Sequence, residues 1–98
     1  MHARVSTFEG AADQIDAGEQ SVRERIIPAA NQIPGFKGII FLGDRSSGKT
    51  IGITFWETED AMRESREQAD RLRQEAADAE SASIRSVEEF EVVLDERS

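Results

Sequence analysis

The sequence contains no cysteine and no tyrosine, a single histidine, a single tryptophan and two prolines. Without cysteine there is no disulfide, no thiolate nucleophile and no thiolate-ligated metal, and the address this points to is the cytoplasm. His2 is the sole imidazole and sits at the N-terminus, so neither a histidine acid–base pair nor a histidine-ligated metal is available. Only carboxylate metal sites remain and the acids form no convincing cluster, so no metal and no cofactor are expected. No apolar run approaches the roughly 18 residues that a membrane span needs. The N-terminal MHARVSTFEG lacks the apolar core of a signal peptide. Bases are scarce as well: 12 against 20 acids, for a net charge of −8. Nucleic acid and anionic membrane both require a basic face, so neither is an expected partner, and the acidic surplus reads as solubility.

What is present is enough for one domain, residues 1–98, with a thin core. Arg4–Gly10 is short, β-branched and ends at glycine, which predicts a strand. Ile15, Val22, Ile26, Ala29, Ala30 and Ile33 then recur at helical spacing, with Pro28 set to kink or loosen that helix and Pro34-Gly35 to end it. Phe36–Leu42 and Thr50–Trp56 read as strands around a turn at Ser46–Gly48. Thr58 followed by Glu59 and Asp60 opens a second helix, with Ala61, Met62, Ser65, Ala69, Leu72, Ala76 and Ala79 on one stripe. The remaining Arg, Glu and Asp of that helix form a solvated face. Val87, Phe90, Val92 and Leu94 mark a last strand, and the chain frays at 95–98. The order β-α-β-β-α-β specifies an α+β, ferredoxin-like sandwich with a four-stranded antiparallel sheet and both helices on one face.

Residues 43–50, GDRSSGKT, match the letters of a phosphate-binding G-x-x-x-x-G-K-[ST] loop. Such a loop works by leading a strand into a helix whose N-terminus holds the phosphates. Here the residues that follow, TIGITFW, alternate and are strongly β-forming. The stretch is therefore expected to be a hairpin turn, with Gly48 supplying a positive φ.

Ile27-Pro28-Ala29, Ile33-Pro34-Gly35-Phe36-Lys37-Gly38, Phe41-Leu42-Gly43-Asp44-Arg45 and Ile53-Thr54-Phe55-Trp56-Glu57-Thr58-Glu59-Asp60-Ala61-Met62 together resemble the antibiotic-biosynthesis-monooxygenase-like group. The Pro-Gly-Phe-x-Gly entry to the second strand and the Trp-Glu step into the second helix carry most of the likeness, which covers roughly residues 3–94. The resemblance implies a dimeric α/β barrel, and activities ranging from cofactor-free oxygenation of polyketide quinones to haem degradation. The haem-degrading branch implies an asparagine on the first strand, a tryptophan on the third and a histidine on the second helix. This chain has only Trp56 of the three, with Arg66 near the place of the histidine. Independently, Phe36, Ile40 and Leu42 are expected on one side of strand two and Ile39 and Phe41 on the other, while Ile51, Ile53 and Phe55 share one face of strand three. Two apolar sheet faces with helices for one imply a homodimer.

The expected ligand pocket is built from Trp56, Thr54, Gly52, Met62 and Arg66. Thr54 and Gly52 are small face-mates of Trp56 and leave room beside it. The plainer reading makes Trp56 a core residue with its N–H bonded nearby. Arg66, four residues after Met62, is placed to hold an anionic oxygen, or else pairs with Asp70 or Glu59 on a solvated face. Arg4, Ser6 and Glu9 are weaker candidates, and no catalytic residue is assigned. The function these features support is a cofactor-independent monooxygenase or a handler of a small aromatic molecule. The alternative is a non-catalytic dimeric binding or structural module.

Overall fold

A computed structural model describes residues 1–97, so Ser98 of the expected frayed end lies outside the described residues. Four strands, β1 (His2–Glu9), β2 (Phe36–Gly43), β3 (Lys49–Trp56) and β4 (Ser83–Glu91), pair antiparallel in the order β2-β3-β1-β4. This is the sheet of the ferredoxin-like sandwich that the element order specifies. Between β1 and β2 run a 3₁₀ turn (Ala12–Gln14), α1 (Ile15–Ser21), a π turn (Val22–Ile26) and α2 (Ile27–Ala30). Between β3 and β4 run α3 (Glu59–Glu64) and α4 (Arg66–Ala79).

The first helical stretch is less regular than its periodicity implies. Pro28 has no N–H to give back to the preceding turn, and the residues before it widen instead: the Ile27 N–H reaches Val22 O, five residues back. Ile15, Val22, Ile26, Ala30 and Ile33 are buried, but Ala29 is exposed because the π turn rotates it off the stripe. The second helix starts as expected, with the Ala61 N–H donating to Thr58 Oγ1 at 3.0 Å. It breaks at Ser65, whose hydroxyl donates to Met62 O at 2.6 Å.

Strand β4 ends at Glu91. The Val92 N–H still donates to Met1 O, but Val93 and Leu94 project into solvent, so neither Val92 nor Leu94 is a strand residue as their spacing implied. A register break between Phe36 and Gly38 produces the other correction. It turns Phe36 to the helix side, where its ring meets Trp56 edge-on at 5.5 Å, instead of leaving it with Ile40 and Leu42.

GDRSSGKT is a hairpin turn. Asp44 Oδ1 accepts from the Ser46 N–H and Oγ–H, Gly48 N–H donates to Asp44 O, and Asp44 N–H to Lys49 O. Gly48 has φ +82°, and a Cβ there would strike the Gly10 carbonyl oxygen.

The core lies between the sheet and the helices in two clusters. Val22, Ile26 and Ala76 form one, and Ile33, Trp56 and Met62 the other, with Leu72 touching both. The opposite face of the sheet carries Val5, Ile40, Leu42, Ile51, Ile53, Phe55 and Phe90 and has no helix over it. Leu42 and Phe90 are about half exposed there, at 47% and 49%.

Candidate functional site

Alternation along β1 and β3 sends Ser6, Phe8, Gly52, Thr54 and Trp56 toward the helices. A cavity of about 70 Å³ lies against them, walled by the sheet, by the segment from Val22 to Ile33 and by α4. Its lining is apolar except along one edge, where Arg4, Ser6 and Arg73 meet Thr54. The absence of a side chain at Gly52 helps to make the space: a Cβ there would meet only Phe8, at 3.9 Å.

Trp56 is buried, and its Nε1–H donates to Thr54 Oγ1 at 3.0 Å. The indole therefore serves the core and walls the cavity at once. The Arg4 guanidinium stands 5.5 Å from the ring centroid. Arg4 is 2% exposed, and each of its three guanidinium nitrogens donates. Nε and Nη2 donate to Glu89 Oε2 at 3.1 and 2.9 Å, Nη1 to Ser65 Oγ at 3.2 Å, and Nη2 also to Met62 O at 2.7 Å. Burial pulls the Arg4 guanidinium below its ordinary range. The hydrogen bond and charge of Glu89 oppose that shift, and nearby Arg73 adds to it. Glu89 in turn is held below the usual carboxylate range, chiefly by its hydrogen bond from Arg66 and then by Arg4.

Arg73 is the residue that sequence reasoning missed. Its Nε donates to Ser6 Oγ at 2.9 Å and its Nη1 to Asp70 Oδ1 at 2.6 Å, while Nη2 makes no protein hydrogen bond among the described residues. One signal was available. Arg73 lies one residue past Leu72 and four past Ala69, so its stem borders the apolar stripe of α4 while its fork reaches past it.

Of the five residues expected at the pocket, Trp56, Thr54 and Gly52 line this cavity and two do not. Met62 packs in the core cluster with Ile33 and Trp56. Arg66 points outward beyond the helix break at Ser65, where Glu89 on the sheet edge draws it into a 2.5 Å ion pair. Met62 and Arg66 line instead a separate, charged groove with His2, Glu59, Arg63 and Glu91. Glu9 pairs with Arg85 on the surface, away from the cavity. The cavity lining offers no histidine, cysteine, tyrosine or methionine, so it has no axial ligand for a haem iron, and the residues present do not fit that group. No three His, Cys, Asp or Glu side chains converge as a metal site among the described residues.

No family model matches the sequence. The chain is similar to the uncharacterised protein Rv2558 of Mycobacterium tuberculosis, at 38% identity over 94 residues. That alignment takes in 96% of this chain, which spans only about two fifths (39%) of the relative's length. Among solved structures it is similar to the haem degrader MhuD of M. tuberculosis, with 24% identity, 99% of this chain and 100% of that one covered, and a TM-score of 0.72. It is also similar to SnoaB, a cofactor-independent oxygenase from Streptomyces nogalater, at 22% identity, 96% and 94% coverage and a TM-score of 0.66. A protein of Deinococcus radiodurans described as an antibiotic biosynthesis monooxygenase aligns over 100% of this chain and 98% of its own, with 17% identity and a TM-score of 0.69. The chain thus has the ferredoxin-like α+β fold of the antibiotic-biosynthesis-monooxygenase-like proteins.

Proposed function

We propose that the chain takes a small, flat, acidic aromatic molecule into the cavity beside Trp56 and acts on it as a cofactor-independent monooxygenase. The observation that carries this reading is the pairing of an apolar cavity with a single cationic edge, formed by Arg73 and Arg4 around Ser6. A polyketide-like phenol or enol is apolar over most of its surface and bears one ionisable oxygen. That oxygen, as enolate, fits the unengaged Nη2 of Arg73. A fixed cation in a water-poor site stabilises such an anion far more than bulk water does. The chemistry then needs no added reductant: the enol proton goes to solvent before the enolate binds, and an anthrone-like CH₂ and dioxygen give the quinone C=O and water. SnoaB, which shares this fold, is a cofactor-independent oxygenase.

A second reading has its own support. The polar side chains of the cavity are arginine, serine and threonine, and none of them is a general base near neutral pH. A domain that binds and shields such an anion without turning it over fits this lining too. In either case the partner of the uncovered sheet face is a second copy of the chain, since a symmetric pair would bury Leu42, Phe90 and the half-buried Ile40, Ile51, Ile53 and Phe55.

The experiment is titration of Trp56 fluorescence with anthrone-like polyketides, followed by oxygen uptake. Saturable quenching with oxygen consumption is the expected result. Quenching without consumption selects the binding module, and no quenching ends both. Arg73→Ala should weaken binding about tenfold, the worth of a hydrogen bond to a charged group. Gly52→Ala should fold normally, since its methyl meets only Phe8, and should also bind less tightly because it fills the cavity.

A further inference from the structure

At the far end of the helical layer lies a carboxyl that the cavity does not use. Glu80 follows the last turn of α4 and is 2% exposed. Its Oε1 accepts from Thr50 Oγ1 at 2.6 Å, and its Oε2 is buried with no hydrogen-bond partner among the described residues. Its methylene chain lies where α1 carries Gly18, and a Cβ at that position would collide with Glu80 Cγ. One side chain thus joins α4, β3 and α1. No cation among the described residues answers its charge. On the elements packed around it Asp16 is paired with Arg45, Glu19 with Arg23 and Glu9 with Arg85, Asp78 accepts from Gln74, and Lys49 is exposed. Burial pushes the Glu80 carboxyl above its ordinary range, and the Thr50 hydroxyl only partly offsets this.

The element seated on Glu80 continues into the cavity wall. From α1 the chain passes through the π turn into α2, and Val22, Ile26, Ile27 and Ala30 of that stretch line the cavity. The π turn and Pro28 make it the least regular helical stretch of the layer, whereas the facing wall is fixed by the β1 and β3 ladders. At about 70 Å³ the cavity has room for a few waters, and a fused aromatic ring system enters only if a wall moves.

We propose that Glu80 is a proton-operated latch on the α1–α2 wall of the cavity. With the carboxyl neutral, α1 is seated against α4 and β3. With the carboxylate formed, an uncompensated buried charge unseats α1, and the wall that continues from it through the π turn into α2 loosens and opens the cavity. The biological sense of the latch rests on the cavity being the binding site, but its test needs no ligand.

The test is amide hydrogen exchange from about pH 5 to about pH 9, the span over which buried glutamates titrate, with intrinsic exchange rates divided out. In the native protein, protection of Ile15–Ser21 should fall about tenfold or more as pH rises, while the β1 and β3 amides keep theirs. In Glu80→Gln, which still accepts from Thr50, the profile of α1 should be flat. Glu80→Met is a second neutral variant should the first fail to fold, with the same expectation. A flat profile in the native protein overturns the latch. So does loss of protection in α1 and the strands together, which would be global unfolding. A failed latch leaves the Trp56 titration standing, and a failed titration leaves the exchange profile standing.

Discussion

Arg4 shows how one side chain sets both the core and the edge of the cavity. It is a cation 2% exposed on the third residue of β1, an expensive placement unless its donor nitrogens are used. Glu89, Ser65 and the Met62 carbonyl use them, and the break between α3 and α4 is the geometry that lets them converge. Arg4→Met should therefore destabilise the fold by about 3 kcal/mol in urea unfolding, because it removes the buried partner of Glu89 and the donor that ties β1 to Ser65 and Met62. The pH dependence of the same ion pair has a definite sign. Glu89 is held below its unfolded value, so its contribution is complete above the ordinary glutamate range near about 4.3 and is lost as pH falls through the lower folded value. Glu89→Gln should flatten that acid limb of stability measured against pH. Arg4 is a candidate in the sequence only as a basic residue on a strand. Its burial depends on partners 58 to 85 positions away, a separation that no local pattern carries.

At the scale of elements, local chemistry decides the outcome where it is strong and loses where packing competes. The Asp44–Lys49 turn folds as its residues demand, and its phosphate-loop lettering is incidental, because β-forming residues follow Gly48 where a helix would have to begin. Gly48→Ala should cost more than about 1 kcal/mol of stability by thermal or urea unfolding, since φ +82° and the Gly10 carbonyl both oppose a side chain. The helices were legible as apolar stripes but not as continuous rods. Pro28 signalled the loosening of the first helix at Val22–Ile26, whereas a serine that takes its own helix's carbonyl, as Ser65 does, leaves no mark on the periodicity. The direction of Phe36 was illegible for a similar reason. Strict alternation assigns its face, and one register break reverses it. Trp56, Thr54 and Gly52 were legible together as a cavity wall because they alternate within one regular strand. Arg73 was not, because a long side chain reaches far from where its Cα sits.

For the molecule as a whole, the sheet is the decisive element. Helices cover one side, and the other is apolar over β2 and β3 and at Val5 and Phe90, with Glu88 and Ser86 of β4 at its margin. The proposed pairing places a second copy over that face. Sedimentation at micromolar concentration should give twice the 10.9 kDa mass of the chain. Ile53→Lys, in the middle of the uncovered face, should return it to one. A lone 10.9 kDa species in the native protein would remove the pairing.

The register break that turns Phe36 inward also blunts an edge. β2 is an outermost strand, and its sequence, FKGIIFLG, is of the short, apolar, nearly uncharged type that templates fibrillar stacking when a flat edge is left bare. The irregular ladder over Phe36–Gly38 and the exposed charge of Lys37 deny an incoming strand a continuous row of partners. The feature that gives Trp56 its edge-on neighbour thus also guards the chain against aggregation along its most vulnerable margin.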